Sequence, residues 1–211
     1  MLYGVWLAAA FATTALDGAW VGDADVQQQL TARQVVVRSA EDSGSRTRVV
    51  AAVSIRAAPE RVWDVLDDCE QAAAFIPGLR RCHLLERAPD GSWELIEHEV
   101  KYSWLMPAIH SVLHMQNDPP HSIQFWRVRG DLKDERGAWL LRAAPDGLTT
   151  TLEYQVDIDP GFWIPKSFLR RTLRKELPAA LLALRARVEA QSPQPQVRPP
   201  DAVASEAGAP R

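Results

Sequence analysis

The apolar positions in the last part of the chain fall into one long stripe. Leu169, Leu173, Leu177, Leu181, Leu184 and Val188 recur at spacings of three and four, which places them on one face of a helix. That helix spans roughly residues 165–190, about 37 Å at 1.5 Å per residue. Pro165 suits its first turn, where a missing N–H costs nothing. Pro178 lies in its interior, removes one backbone hydrogen bond and predicts a bend near 174–178. Upstream the period changes. Segment 48–56 sets Val49, Ala51, Val53 and Ile55 on one face, and 81–87, 92–102, 110–116, 122–129, 136–143 and 148–157 also read as strands. Turn clusters such as Pro89-Asp90-Gly91, Asn117-Asp118-Pro119-Pro120 and Pro145-Asp146-Gly147 separate them. Residues 33–38 pair with 48–56 as a hairpin around Glu41-Asp42-Ser43-Gly44-Ser45. Pro59 and Glu60 then open a short helix with Val62, Trp63, Val65 and Leu66 on its apolar face, and 70–75 reads as a second. An antiparallel meander followed by a long helix belongs to the α+β class. The sheet is needed to cover the helix stripe.

The two ends stand apart from this pattern. Residues 1–19 contain no Lys or Arg, and 5–16 is long enough for the apolar core of a secretory signal. Ala10-Phe11-Ala12 supplies small residues at a cleavage-like spacing. The run is shorter than the about 20 apolar residues of a membrane span. The expectation for 1–19 is a signal peptide or N-terminal apolar segment, and hence a periplasmic or extracellular protein, with a cytoplasmic location as the alternative. Residues 20–32 are polar and Gln-rich, a linker or a short helix. Residues 192–211 are Pro-rich and lack aromatics, which predicts a disordered tail.

Composition narrows the function classes. The 211 residues are 46% hydrophobic with a net charge of −3, so there is material for a real core and no basic excess to suggest nucleic acid. Eight Trp against three Tyr and five Phe supply bulky apolar area for a core or for cavity walls. Cys69 and Cys82 either pair in an oxidising compartment or stay as buried thiols. With no CxxC and no further ligand nearby they do not suggest zinc. His110 and His114 would lie about 13 Å apart on one strand at 3.3 Å per residue, too far for one metal. There is no HExxH, no GxSxG and no glycine-rich phosphate loop, so neither a metal nor a cofactor is expected.

The element order, read with several local motifs, resembles a known superfamily. The run Val53-Ser54-Ile55-Arg56-Ala57-Ala58-Pro59-Glu60-Arg61-Val62-Trp63-Asp64-Val65-Leu66 is similar to the strand-to-helix signature of START-like (SRPBCC) proteins. Phe75-Ile76-Pro77-Gly78-Leu79 resembles the segment that follows it. Gly130-Asp131-Leu132-Lys133, Gly137-Ala138-Trp139 and Thr151-Leu152-Glu153-Tyr154 resemble the later hairpins, and Leu177-Pro178 resembles the closing helix. Within the superfamily the pattern is that of polyketide cyclase/dehydrase and coenzyme Q-binding START-like proteins. The resemblance implies a helix-grip domain over 33–191. Its curved antiparallel sheet would wrap the long C-terminal helix, with two short helices after the first strands. It leaves function open, because that superfamily hosts carriers, cyclases, hydrolases and regulators.

Two sets of residues follow as candidates. Trp93, Leu95, Trp104, Trp126, Trp139, Leu141, Trp163 and Leu173 are candidates to line a ligand cavity between sheet and helix, and each also fits plain core packing. Glu97, Glu99, Tyr102, Arg127, Glu153 and Tyr154 are candidate polar groups inside it, with solvent or cross-strand pairing as the alternative. The connections Trp104-Leu105-Met106-Pro107 and Phe162-Trp163-Ile164-Pro165 are unusually apolar. Lys166, Arg170, Arg171, Arg174 and Lys175 follow the second. Leu105, Met106 and Phe162 with this basic collar suit peripheral contact with an anionic membrane or a partner. The functional expectation is non-enzymatic binding or transport of a lipid, quinone or polyketide-like molecule. The alternatives are a cyclase/dehydrase-type enzyme and a protein-interaction module docking through the basic face of the terminal helix.

Overall fold

The computed structural model describes residues 18–41, 46–101, 107–161 and 165–191. A 3-10 turn, Gly18–Gly22, leads into helix α1, Ala24–Thr31; strands β1, Val36–Glu41, and β2, Thr47–Ile55, follow. Helix α2, Pro59–Leu66, and a single 3-10 turn, Ala72–Ala74, precede β3, Leu79–Arg87, β4, Trp93–Val100, and β5, Ile109–Asp118. Strands β6, Ser122–Gly130, β7, Asp134–Ala143, and β8, Thr150–Asp159, complete the sheet, and α3, Lys166–Gln191, closes the described chain. The strands form one sheet in the order β1-β2-β8-β7-β6-β5-β4-β3, with antiparallel neighbours throughout. This is the curved sheet and long C-terminal helix of the helix-grip α+β fold.

The apolar stripe does what its spacing predicts. Leu169, Leu173, Leu177, Leu181, Leu184 and Val188 are all buried in one core with Val49, Ala51, Val53 and Ile55 of β2 and Leu152, Val156 and Ile158 of β8. Full burial of each such side chain is worth about 1.5–3 kcal/mol, so this stripe is the main attachment of α3. The helix is continuous through Pro178. Bulges disrupt the register between Leu79 and Arg81, between Leu84 and Glu86, and between Val112 and Leu113; such bulges bend a sheet and increase its twist. Gly130, paired with Ser111 beside the last of these, has φ of 140°, and a Cβ there would lie 2.8 Å from Ser111 Cα. Only glycine fits that close approach.

The strand-to-helix junction is held from across the sheet. Ala58 is extended before Pro59, as a residue preceding proline must be. The Thr150 hydroxyl donates to the Ala57 carbonyl at 2.7 Å, entirely buried. The expected second short helix at 70–75 is reduced to the 3-10 turn, because Ile76-Pro77-Gly78 leaves it no room to propagate.

The Gln-rich stretch takes the short-helix alternative. Val21, Val26 and Leu30 pack with Val36 and Ala52 into a separate small core on the outer face of β1 and β2. The first strand therefore starts at Val36 rather than near Arg33. Arg33 N–H reaches Leu30 O and Gln34 N–H reaches Gln29 O, both at 2.9 Å, and Arg33 has φ of 60°. That is a Schellman ending with arginine where glycine is usual. The Arg33 guanidinium holds both oxygens of Glu189 on α3 at 2.8 Å, and Arg185 donates to the Arg33 carbonyl at 2.8 Å. Contacts to the far helix over-determine the strained residue.

Candidate functional site

Strand parity decides which residues face α3. Ile96 of β4, Leu113 of β5, Ile123 and Phe125 of β6, Leu141 of β7 and Leu152 of β8 belong to the main core, so residues two apart from each also point inward. β4 thus sends Glu94, His98 and Val100 inward, β5 sends Ser111, Met115 and Asn117, β6 sends Arg127, and β7 sends Glu135 and Trp139.

These side chains and the helices line two neighbouring pockets, the first and second lobes, which have His98 in common. The first, about 70 Å³, is lined by His98, Val100, Pro107, Ile109, Ser111, Leu132, Glu135 and Ile158 from the sheet side and by Phe168, Leu169, Thr172 and Leu173 of α3. The second, about 60 Å³, lies beneath the α2–β3 segment. Leu66, Asp67, Cys69, Ala72, Phe75, Ile76, Cys82, Glu94, Ile96, Met115, Asn117, Ile123 and Trp139 line it, and His98 lines both lobes. Each lobe is smaller than the roughly 150 Å³ cavity that admits benzene. A ring-bearing ligand therefore requires the walls to part.

The polar groups inside are not a uniform set. Burial pushes the Glu135 carboxyl up to about 7, against the Ser111 hydroxyl hydrogen bond and the Arg127 charge, which favour ionisation. Burial pushes His98 down to about 4, so its imidazole is neutral at physiological pH. Arg127 donates from Nη2 to the Lys133 carbonyl at 2.9 Å, while its buried Nε has no partner. The first lobe thus offers a neutral imidazole, a hydroxyl and a carboxyl that exchanges its proton near neutrality. These can hydrogen-bond a neutral polar group or move a proton. In the second lobe, Asp67 and Glu94 share Arg87 as their cation, and burial raises both carboxyls. Among the described residues no cluster of three His, Cys, Asp or Glu could hold a metal ion.

The expected site residues divide between the two faces. Trp139 and Leu173 line the lobes, and Leu141 is buried in the core on the same inner face. Trp93, Leu95 and Trp126 do not line the cavity. They stand on the outer face, where His114 stacks between the two indoles at centroid distances of 5.5 and 4.3 Å. The reason is that β4 is apolar on both faces: Trp93 and Leu95 alternate with Ile96 and Val100, so hydrophobicity alone cannot fix its parity. Of the polar candidates, Arg127 and Tyr154 face inward, the latter packed on Trp139 at 4.3 Å between centroids. Glu97 and Glu99 face outward, and buried Glu153 pairs with Arg142 on the outer side at 2.5 Å. Trp104, Leu105, Met106, Tyr102, Phe162 and Trp163 lie outside the described residues. Lys166 is the first residue of α3, with its backbone alone described. Arg170, Arg171, Arg174 and Lys175 gather with Ser167 along one side of its first turns. His98, Ser111 and Glu135 were not expected. The available signal was that His98 and Ser111 each lie two residues from an apolar core position, Ile96 and Leu113, and that Glu135 shares the parity of Trp139 and Leu141 on its strand.

Cys69 and Cys82 are joined by a disulfide, with their Cα atoms 5.5 Å apart. It ties the α2–β3 segment to Cys82, the fourth residue of β3, beside the second lobe. The pairing excludes the free-thiol alternative.

Known proteins share this fold. Solved structures that superpose include a STAR-related lipid transfer protein from Xanthomonas axonopodis (21% identity, 73% of this chain and 93% of that one, TM-score 0.62). The Zhui aromatase/cyclase from Streptomyces sp. R1128 superposes too (18% identity, 68% and 94% covered, TM-score 0.59). So does a START superfamily protein from Mycobacterium smegmatis (18%, 69% and 99%, 0.60). At these identities the likeness establishes the fold alone. No curated protein sequence is similar enough to match. The family model for polyketide cyclase/dehydrase and lipid transport matches residues 55–185, from the end of β2 into the last turns of α3. With the helix-grip fold and the inward-facing cavity in place, that match assigns the chain to the polyketide cyclase/dehydrase and lipid transport family.

Proposed function

We propose that the protein binds and carries an apolar small molecule between the sheet and α3 without transforming it. The observation that carries this reading is the pair of lobes, whose walls are mostly aliphatic and aromatic and which share His98 as a lining residue. Burying the apolar part of a ligand there gains about 25 cal/mol per Å² removed from water. Native mass spectrometry after mild exposure to a lipid extract tests it: a bound apolar species that survives buffer exchange is expected, and a protein that stays ligand-free with every lipid class would overturn it.

A second reading, a cyclase- or dehydrase-type enzyme, is favoured by one specific observation. Glu135, bonded to Ser111 and sharing a lobe with neutral His98, is poised to exchange a proton at neutral pH. Turnover of a poly-β-carbonyl substrate that disappears in Glu135→Gln would select this reading over carriage.

We further infer peripheral contact with anionic membranes. Support comes from the basic side of α3, Arg170, Arg171, Arg174 and Lys175, which adjoins Phe168 and Leu169 at the first lobe. Each such cation near an anionic surface contributes about 1 kcal/mol. Co-sedimentation with phosphatidylserine vesicles, abolished in the triple change of Arg170, Arg171 and Arg174 to Glu, is the expected outcome. Binding only to a protein partner through the same face would replace it. The Cys69–Cys82 disulfide supports export to an oxidising compartment.

A further inference from the structure

The wall of the second lobe holds one buried hydrogen-bond acceptor that the chain itself does not satisfy. Asn117, at the end of β5, is 9% exposed and lines this lobe. Its amide orientation is fixed by its neighbours, because Nδ2 donates to the Gly91 carbonyl at 3.2 Å and to Asp67 Oδ1 at 3.5 Å, both of which can only accept. Asn117 Oδ1 is left buried with no donor. An acceptor stranded in this way costs about 1–3 kcal/mol until a donor arrives.

The charges of the same wall point the same way. Asp67 and Glu94 place two carboxyls on the lobe against the one guanidinium of Arg87. Glu94 is 4% exposed, whereas the Arg87 side chain is 45% exposed and shares its charge with solvent. Burial raises both carboxyls above the usual carboxylate range; Asp68 and Asp64 raise Asp67 further and Asp67 raises Glu94, against the Arg87 charge, which lowers both. The wall is one cation short of its two carboxyls.

Resting on the carrier reading above, we propose that this lobe receives the protonated amine of its ligand, with Asn117 Oδ1, Asp67 and Glu94 as acceptors and the apolar body against Ile96, Met115 and Ile123. An ammonium has three donors and no acceptor, which matches the three groups. A hydroxyl supplies one donor and no charge. A carboxylate would add a third negative group to an already acidic wall.

Octylamine, 1-octanol and octanoate share one chain and differ in the head, so isothermal titration of the intact protein at pH 7 separates head from body. Octylamine is expected to bind about tenfold or more tighter than octanol, as one charge-assisted bond provides, with octanoate weakest. Glu94→Gln and Asn117→Leu are each expected to bring octylamine to within about threefold of octanol. In the unaltered protein the Met115 methyl resonance is expected to shift with octylamine, which reports the location whether or not the variants fold. Octanol or octanoate matching octylamine would overturn the amine assignment and leave the carrier reading standing. A preference that persists in both folded variants, or an unshifted Met115, would place the amine elsewhere and overturn it too. No binding by any of the three would overturn both.

Discussion

Glu135 is a carboxyl that the fold holds at a cost, and the cost can be measured. Its ordinary value lies near 4.5 and its folded value near 7. At 1.36 kcal/mol per pH unit of displacement, ionising it in place costs the native state ~3 kcal/mol. Burial and the neighbouring Asp134 charge disfavour the anion, acting against the Ser111 hydrogen bond and the Arg127 charge, and burial wins. The sign follows from linkage: between about 4.5 and 7 the folded state binds the proton that the unfolded state has released, so stability falls as pH rises and levels off above 7. His98, neutral down to about 4, acts in the opposite sense, since the unfolded state takes up its proton as pH drops below 6.5. The two partly cancel in the whole-protein profile, so the quantity to read is the difference between the protein and Glu135→Gln. Urea unfolding at pH 4.5, 6 and 8 should show the variant equal at pH 4.5 and more stable at pH 8 by about 1–3 kcal/mol, the lower figure applying if glutamine loses the Ser111 bond. A difference independent of pH, or a variant less stable at pH 8, would mean that Arg127 and Ser111 hold Glu135 as an anion and that burial does not dominate.

Other outcomes test other parts of the molecule. Changing Cys69 and Cys82 to Ser opens a loop with a sequence separation of 13 and should cost about 3 kcal/mol, read as the loss between reducing and non-reducing urea titrations; unchanged midpoints would refute the crosslink. Leu181→Ala, at a side chain with no exposure, should cost about 3–5 kcal/mol in the same assay, and a loss under 1 kcal/mol would show that α3 is not anchored by its stripe. Trp126→Ala removes a side chain that is 41% exposed on the outer face and should leave ligand occupancy in native mass spectra unchanged, whereas Trp139→Ala, on the wall of the second lobe, should alter it; the reverse ranking would invert the facing of the strands.

Much of the fold was legible because its period is written along the chain. The three-and-four spacing of Leu169 through Val188 required a helix and named its buried face, and that face is buried. The motif from Val53 to Leu66 marked the strand-to-helix junction. Less was legible at α1. Its helix ends on Arg33, which adopts the left-handed conformation only because Glu189 and Arg185, over 150 residues away, hold it. No local signal announces an arginine in a glycine position.

The candidate site divides along the same line. The resemblance of its motifs to START-like proteins implied the helix-grip arrangement; sequence alone determined the α+β class, the amphipathic terminal helix and the supply of Trp and Leu from which an apolar cavity is built. Local spacing encodes these, because burial of one face follows directly from the 3.6- and 2-residue periods. Tertiary structure decided which face of β4 and β6 looks inward, and so moved Trp93, Leu95 and Trp126 to the outside. It brought His98, Ser111 and Glu135 into one lobe from three strands. It joined Cys69 to Cys82, and it gathered Asp67, Arg87, Glu94 and Asn117 around a stranded acceptor. Strand parity in a sheet apolar on both faces, and the convergence of residues distant in sequence, depend on long-range register. No local pattern carries that register, so the chemistry of this cavity appears only once the sheet has closed on the helix.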